Sequence, residues 1–304
     1  MIRPKYIHLN GELVAWEDAK VHVSSGAFKF GAAVFEGIRG YWNAEQEQMY
    51  LFRLDDHMRR LTHSQVFMRF DEILDTTDIA NKTLELVRAN ELRENIHILS
   101  TTFVEGIGGP STSGPVGLSI TTGPWAGAAR IEKGCSAQVS SWQRAADTAL
   151  PMRVKCNANY QNGRLAAVQA EADGYDTAIL LNSRGKVSEG PSMCFFMIRD
   201  GKAITPSTSN DILESITRQT MLEILPEMCG IEAVERDVDR SELLMADEAF
   251  FCGTAWEVTP VTSIDRVPIG GGEVGPIVKK LQQSYFDLTN GRTNLHPDWL
   301  TKVY

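Results

Sequence analysis

Apolar residues recur along this chain at two spacings, and the change from one to the other marks out its elements. A period of about two argues for a strand and one of about 3.6 for a helix. Tyr6-Ile7-His8-Leu9 and Glu12-Leu13-Val14 flank Asn10-Gly11, a pair that favours a two-residue hairpin turn because both positions tolerate positive φ. Met49-Tyr50-Leu51-Phe52 predicts a further strand, followed by a helix with Leu54, Met58 and Leu61 on one face. Asp75 has the character of an N-cap, with Ala80, Leu84 and Val87 continuing the helical period behind it. Residues 96–99 and 116–120 predict two more strands. The glycine-rich run from Glu105 to Pro115 between them has no lysine or helix start behind it, as a phosphate loop would. It reads as a mobile loop, long enough to serve as an active-site lid.

Around Trp125 the composition turns to Gly, Ala and Pro, and residues 123–134 read as a linker between a first domain, 1–122, and a second, 135–304. The second domain predicts strands at 136–140, 177–182, 193–198, 248–251 and 258–263, with a tight turn at 183–186. Three helical stripes accompany them. Leu165, Val168 and Ala172 precede Gly174; Met221, Ile224, Leu225 and Met228 precede Gly230; Ile277, Leu281, Tyr285 and Leu288 precede Gly291. Each is expected to face a core. The result is a two-domain α+β protein without internal repeats.

Composition narrows the function. Among 304 residues, 30 Lys+Arg stand against 39 Asp+Glu, and no basic cluster offsets the net charge of −9, which argues against a nucleic-acid partner. No apolar run reaches the ~18 residues that span a bilayer. The opening MIRPKYIHLNGELV has no apolar core followed by a cleavage site, so no signal peptide is expected. Five widely spaced cysteines without a CxxC encode neither a zinc site nor a disulfide framework. A reduced, cytoplasmic protein without a metal is the expectation.

Three segments could carry chemistry. Lys155 ends an apolar stretch just before a helix, and a desolvated lysine can condense with an aldehyde or ketone. Glu189 follows a turn and a short strand, and a carboxylate aimed at a heterocyclic nitrogen keeps that nitrogen protonated. Leu213-Glu214-Ser215-Ile216-Thr217-Arg218 opens the helix that carries Met221, and such a terminus binds phosphate. Each has a plainer reading when taken alone: a solvated lysine, a surface hairpin, a Ser/Thr-capped helix.

In this order the segments resemble the class IV, fold type IV, pyridoxal-phosphate aminotransferases, most closely the branched-chain amino acid aminotransferases. The resemblance starts at Phe35-Glu36-Gly37-Ile38-Arg39 and runs through His57-Met58-Arg59-Arg60-Leu61, Lys155 to Tyr160, Ser188-Glu189-Gly190 and Ile216-Thr217-Arg218. It continues through the segment from Ala246 to Ala255 and ends at Gly275-Pro276-Ile277. It implies a D-amino acid aminotransferase-like architecture, with a small α/β N-terminal domain and a larger pseudo-barrel C-terminal domain. It also implies that Lys155 binds the cofactor pyridoxal 5'-phosphate covalently and then shuttles a proton. Glu189 would pair with the ring nitrogen, Tyr160 with the phenolate oxygen and Arg60 with the phosphate. Ile216, Thr217 and Thr254 would offer N–H groups to that phosphate, and Leu213 would pack on the ring. Thr254 and Ala255 would bind a substrate carboxylate. The implied partners are a small amino donor, a keto acid acceptor and a second copy of the chain in a homodimer or larger homo-oligomer.

The departures from the family gather around the substrate. Phe30 stands where a tyrosine is usual, Leu99 where the common bacterial branched-chain enzymes carry an arginine, and Ala126, Gly127 and Ala128 near a usual tyrosine. Gly190-Pro191-Ser192-Met193-Cys194 replaces a common Gly-x-Gly-Glu-Asn. One reading keeps Arg39 with Thr254 and Ala255 as the carboxylate clamp, and lets Phe30, Phe35 and Trp125 line a pocket for leucine, isoleucine or valine. A second is an (R)-selective amine transaminase, because an apolar pocket accepts an alkyl or aryl group more easily than it replaces a lost ion pair. A third is a lyase of the same fold acting on aminodeoxychorismate.

Overall fold

Asn10 and Gly11 adopt φ of +48° and +98° and fold β1 (Tyr6–Leu9) back onto β2 (Glu12–Ala15), as the dipeptide predicts. The computed structural model describes residues 3–125, 127 and 129–304. Two compact units make up the chain. The first comprises Met1–Ala126, Val154–Ala158 and Asp287–Tyr304, and the second Gly127–Arg153 and Asn159–Phe286.

The first unit continues with α1 (Gly26–Phe30), β3 (Ala33–Asn43), β4 (Gln48–Phe52), α2 (Leu54–Phe67), α3 (Thr76–Ala89), β5 (Ile96–Val104) and β6 (Val116–Pro124). Its antiparallel sheet runs in the order of the C-terminal strand Leu300–Lys302, then β4, β3, β5, β6, β1, β2. Asp75 caps α3 by accepting the N–H of Thr77 at 2.9 Å. Val34, Ile38, Ile96, Ile98 and Ile120 pack against Leu54, Met58 and Leu61 of α2 and Ile79, Leu86 and Val87 of α3. Each such side chain, fully buried, stabilises the fold by roughly 1.5–3 kcal/mol. The 105–115 loop is tied at its base by Glu105 N–H to the Pro115 carbonyl, 2.9 Å, and by Gly26 N–H to the Gly106 carbonyl, 3.0 Å.

The second unit holds α4 (Arg130–Lys133), β7 (Cys135–Gln143), α5 (Tyr160–Ala172), β8 (Thr177–Leu181), β9 (Cys194–Arg199), β10 (Lys202–Thr205), α6 (Ile216–Ile224), β11 (Ala233–Glu235), β12 (Glu248–Gly253), β13 (Glu257–Ile264) and β14 (Val267–Pro268). Helix α7 (Pro276–Thr289) follows. Its sheet is mixed, in the order β11-β10-β9-β12-β13-β7-β8, with β14 added to β13. Parallel pairs occur at β10/β11, β13/β7 and β7/β8. Phe195, Met197 and Phe251 lie in the core on one face, and Phe196 stacks on Phe250 at 4.9 Å. Met221, Ile224 and Leu225 are buried as their stripe predicts, and so are Leu281, Tyr285 and Leu288 of α7.

Two sequence expectations give way. A single domain over 135–304 does not form, because Leu300–Lys302 pairs with β4 and buries Trp299 and Val303 in the first unit. The units are therefore of comparable size. In α5 the buried face is Gly163, Ala166 and Ala170, and Val168 and Ala172 of the predicted stripe are exposed. Small side chains win there because the helix lies too close to its support for larger ones. The segment Phe35-Glu36-Gly37-Ile38-Arg39, which the sequence pattern assigned to no element, lies in the long strand β3, where buried Glu36 and Arg39 conceal it from a hydrophobic pattern.

Candidate active site

In the first unit, Phe35 stands opposite Thr101, Gly37 opposite Leu99 and Arg39 opposite His97. Opposed residues share a face of a sheet, so Phe35, Arg39, His97 and Leu99 lie on one side, and Val34, Glu36 and Ile38 on the other. Strand β4 joins β3 only from Gly40 onward. The edge it leaves is taken by Val154–Ala158: Phe35 donates its N–H to the Lys155 carbonyl at 3.1 Å, and Cys156 bridges Val34. Gly31, at φ +67°, makes this approach possible, since a Cβ there would meet the Cβ of Ala158 at 3.3 Å. The Lys155 Nζ lies 4.6 Å from the centroid of the Phe35 ring. Leu99 is 36% exposed on the same face, and Phe30, at the end of α1, is 40% exposed.

Arg39 is buried and donates to the carbonyls of Ile96, 3.4 Å, and Trp125, 3.2 Å. Beside it the His97 ring packs on Trp125 at 5.4 Å. Gly37 leaves room for that ring, since a Cβ would come within 2.9 Å of it. Burial first, and the Arg39 charge second, push His97 down to about 4, so it is neutral near pH 7. Ala126 and Ala128, expected to bear on substrate choice, lie outside the described residues.

On the opposite face Glu36 is fully buried and gathers three donors. Arg60 donates Nε to Oε1 and Nη2 to Oε2, both at 2.7 Å. His57 Nδ1 lies 2.7 Å from Oε2, and because an ionised carboxylate only accepts, Nδ1 carries the proton. Burial alone would raise Glu36, but the charge and hydrogen bonds of Arg60, with the His57 bond, hold it down at about 2. Burial lowers His57 as well, against the pull of Glu36, and keeps it neutral. The arginine expected at a phosphate is thus itself held in a two-bonded ion pair.

In the second unit, Tyr160 opens α5, and Asn159 before it donates to the Pro151 carbonyl at 2.9 Å. Gly163 lets the helix rest on the turn beyond Glu189, since a Cβ there would meet the Pro191 carbonyl oxygen at 2.1 Å. Glu189 is buried, and its Oε1 accepts from Arg144 Nη2 and, at 3.2 Å, from the N–H of Leu213. The Cys194 Sγ lies 3.5 Å from Oε2. Burial, and the Glu189 carboxylate beside it, keep that thiol well above the usual range and therefore protonated. Helix α6 starts two residues after Leu213's neighbour Glu214, with Ser215 Oγ accepting the N–H of Arg218 at 3.2 Å. The amides of Ile216 and Thr217 find no acceptor within their own helix. Thr254 and Ala255 form the turn between β12 and β13, closed by Trp256 N–H to the Gly253 carbonyl at 3.1 Å.

The structure therefore brings Lys155, Phe35, Arg39 and Leu99 to one sheet face, with Arg60 behind that sheet. It joins Glu189 and Leu213 directly, next to the start of α6. The sequence reading gave no role to Glu36, His57, His97, Arg144 or Cys194. The signal for Glu36 was present: a carboxylate in the apolar run AVFEGI must find buried partners.

The Amino-transferase class IV family matches residues 33–264. A probable branched-chain-amino-acid aminotransferase of Aquifex aeolicus is 39% identical, over 98% of this chain and 97% of its own length. The branched-chain amino acid aminotransferase of Thermobaculum terrenum, solved in its PLP-form, superposes with a TM-score of 0.94 at 41% identity, covering 99% of both chains. The branched-chain aminotransferase of Thermoproteus uzoniensis, solved with norvaline, also reaches 0.94, at 37% identity over 99% of this chain and all of that one.

Proposed function

Since the chain belongs to the class IV aminotransferases, we propose that it moves the amino group of leucine, isoleucine or valine to 2-oxoglutarate or another keto acid, with pyridoxal 5'-phosphate as cofactor and in a ping-pong order. When bound, the cofactor stores the amino group between the two half-reactions and delocalises the electrons released at the substrate α-carbon. The residues present fit it. The Glu189 carboxylate, held by the Arg144 guanidinium, the Leu213 amide and the Cys194 thiol, suits a protonated ring nitrogen. The amides of Ile216 and Thr217, with that of Thr254, suit a phosphate, as does the Arg60 cation.

Lys155 would hold the cofactor aldehyde through its amine, water leaving as the bond forms, and once freed by an incoming substrate amine it would carry the proton to and from the α-carbon. Tyr160 would donate to the phenolate oxygen, and Leu213 would pack on the ring. Thr254 and Ala255 would offer N–H groups to the substrate carboxylate; within the first unit, Arg39 braces its own strand through the Ile96 and Trp125 carbonyls. The observation that carries the substrate reading is the apolar floor of Phe35 and Leu99 on the face to which Lys155 belongs. Such a floor takes a branched alkyl side chain. The amine-transaminase and lyase readings lack comparable support among the relatives named above. A homodimer or larger homo-oligomer is supported by Phe28 and Ile107, which are 72% and 69% exposed in a single chain. A cytoplasmic setting agrees with five free, buried cysteines. Among the described residues no helix is long and apolar enough to cross a membrane.

The test is a pair of half-reactions of the holoenzyme, with L-leucine and with (R)-1-phenylethylamine, followed by loss of the cofactor's absorbance band. Leucine is expected to react much the faster, and the opposite order would overturn the substrate assignment. Lys155→Ala should abolish turnover while the apo chain melts as before, so an active variant would remove the lysine from the mechanism.

A further inference from the structure

Arg144 follows the last residue of β7 and has no part in the roles assigned so far. It is buried, with only 7% of its surface exposed. Its backbone N–H bonds the Leu181 carbonyl at 2.8 Å. Its side chain then spans two groups, donating Nε to the Asp211 carbonyl at 3.3 Å and Nη2 to Glu189 Oε1. The same oxygen takes the N–H of Leu213. The turn 211–213 leads straight to Ser215, the N-cap of α6.

We propose that Arg144 is a positioning residue that aims the Glu189 carboxylate at the cofactor ring nitrogen and fixes its distance from the phosphate-binding start of α6. The proposal rests on the reading that Glu189 meets that nitrogen. The ring nitrogen and the phosphate belong to one small cofactor, so the protein groups that meet them must keep a separation that its length can span. Arg144 supplies it, because one planar guanidinium holds both the carboxylate and the turn that precedes the helix. Its fixed cation also stabilises the anionic form of the buried carboxylate, so the proton between carboxylate and ring nitrogen stays on the ring. Ser188 Oγ, donating to the Asn210 carbonyl at 2.7 Å, latches the same turn from the other side.

The experiment is a double-mutant cycle of Arg144→Met and Glu189→Gln, with Arg144→Lys as the conservative variant. Two quantities are read: the rate of the leucine half-reaction, and the dissociation constant of pyridoxal 5'-phosphate from the apo chain, titrated by tryptophan fluorescence. Arg144→Met is expected to slow the half-reaction about a hundredfold, the cost of an ångström-scale misplacement, and to weaken cofactor binding about tenfold. Arg144→Lys should recover part of both, since it keeps the charge and loses the two-group span. With Glu189→Gln already present, Arg144→Met should change the rate by less than about twofold. An equal loss in both backgrounds would overturn the proposal, as would unchanged rate and affinity in the single variant. Should the methionine variant fail to fold, the lysine variant enters the same cycle with the same criteria. A Glu189→Gln enzyme with full activity would instead strike the reading of Glu189 itself, and the proposal with it.

Discussion

Each unit buries one glutamate against one arginine, and the surroundings of the two pairs differ. Glu36 receives two bonds from Arg60 and a third from a neutral histidine, on the sheet face that also packs against α2 and α3. Glu189 receives one bond from Arg144 and one from a backbone amide, with a protonated thiol at its second oxygen. In the proposed function the arginine of the first pair, its side chain 13% exposed, meets the phosphate and the glutamate supports it. In the second pair the proposed roles are reversed, with the glutamate meeting the ring and the arginine supporting it. Removing one member of a buried pair costs about 3–5 kcal/mol in either case, because the other charge is left without compensation. On the proposed roles the function lost should differ: phosphate binding for the first pair, chemistry at the ring for the second.

The strongest way to break this comparison is Glu189→Gln. It should lower the rate of the leucine half-reaction roughly 10²–10³-fold while cofactor affinity falls far less. Stopped-flow rates beside equilibrium titration of the apo chain check the split. Glu36→Gln should act the other way, weakening cofactor binding about tenfold through a loosened Arg60, with little change in the half-reaction at saturating cofactor. If both variants lose rate and affinity in the same proportion, the division of labour is wrong.

Acid separates two buried groups within the first unit. His97, at about 4 when folded against its ordinary 6.5, takes up a proton on unfolding. Stability therefore falls as pH drops from 6.5 toward 4, by on the order of 3 kcal/mol. Glu36, held at about 2 against an ordinary 4.5, acts lower: its contribution is complete above 4.5 and is lost as pH falls toward 2. Melting of the apo chain from pH 7 to 4.5 should show a decline of about 5 °C that His97→Phe flattens and Glu36→Gln leaves in place. A decline that persists in the histidine variant would assign it elsewhere.

What could be read in advance was local. Asn10-Gly11 sets its own backbone, and Asp75 caps a helix two residues away, so neither needs the rest of the fold. Lys155, Glu189 and Ile216 could be singled out in advance because short segments carry them. Arg144 could not, since its meaning comes from a carboxylate 45 residues later. The face of α5 was misread because apolar bulk at Leu165 and Val168 outranked the small residues, yet Gly163 must lie against the Pro191 carbonyl, where bulk cannot go. The return of Leu300–Lys302 to β4 is likewise a pairing across most of the chain, which no window of sequence displays.

One feature of β3 bears on protein engineering. Successive residues of this strand belong to separate compartments: Phe35 and Gly37 look toward the lysine side, and Val34, Glu36 and Ile38 toward the helices. Randomising Leu99 together with Phe35 would sample new donors without disturbing the guanidinium anchor one position away. A library built by parity along this strand should keep its vitamin B6 derivative while its substrate preference drifts.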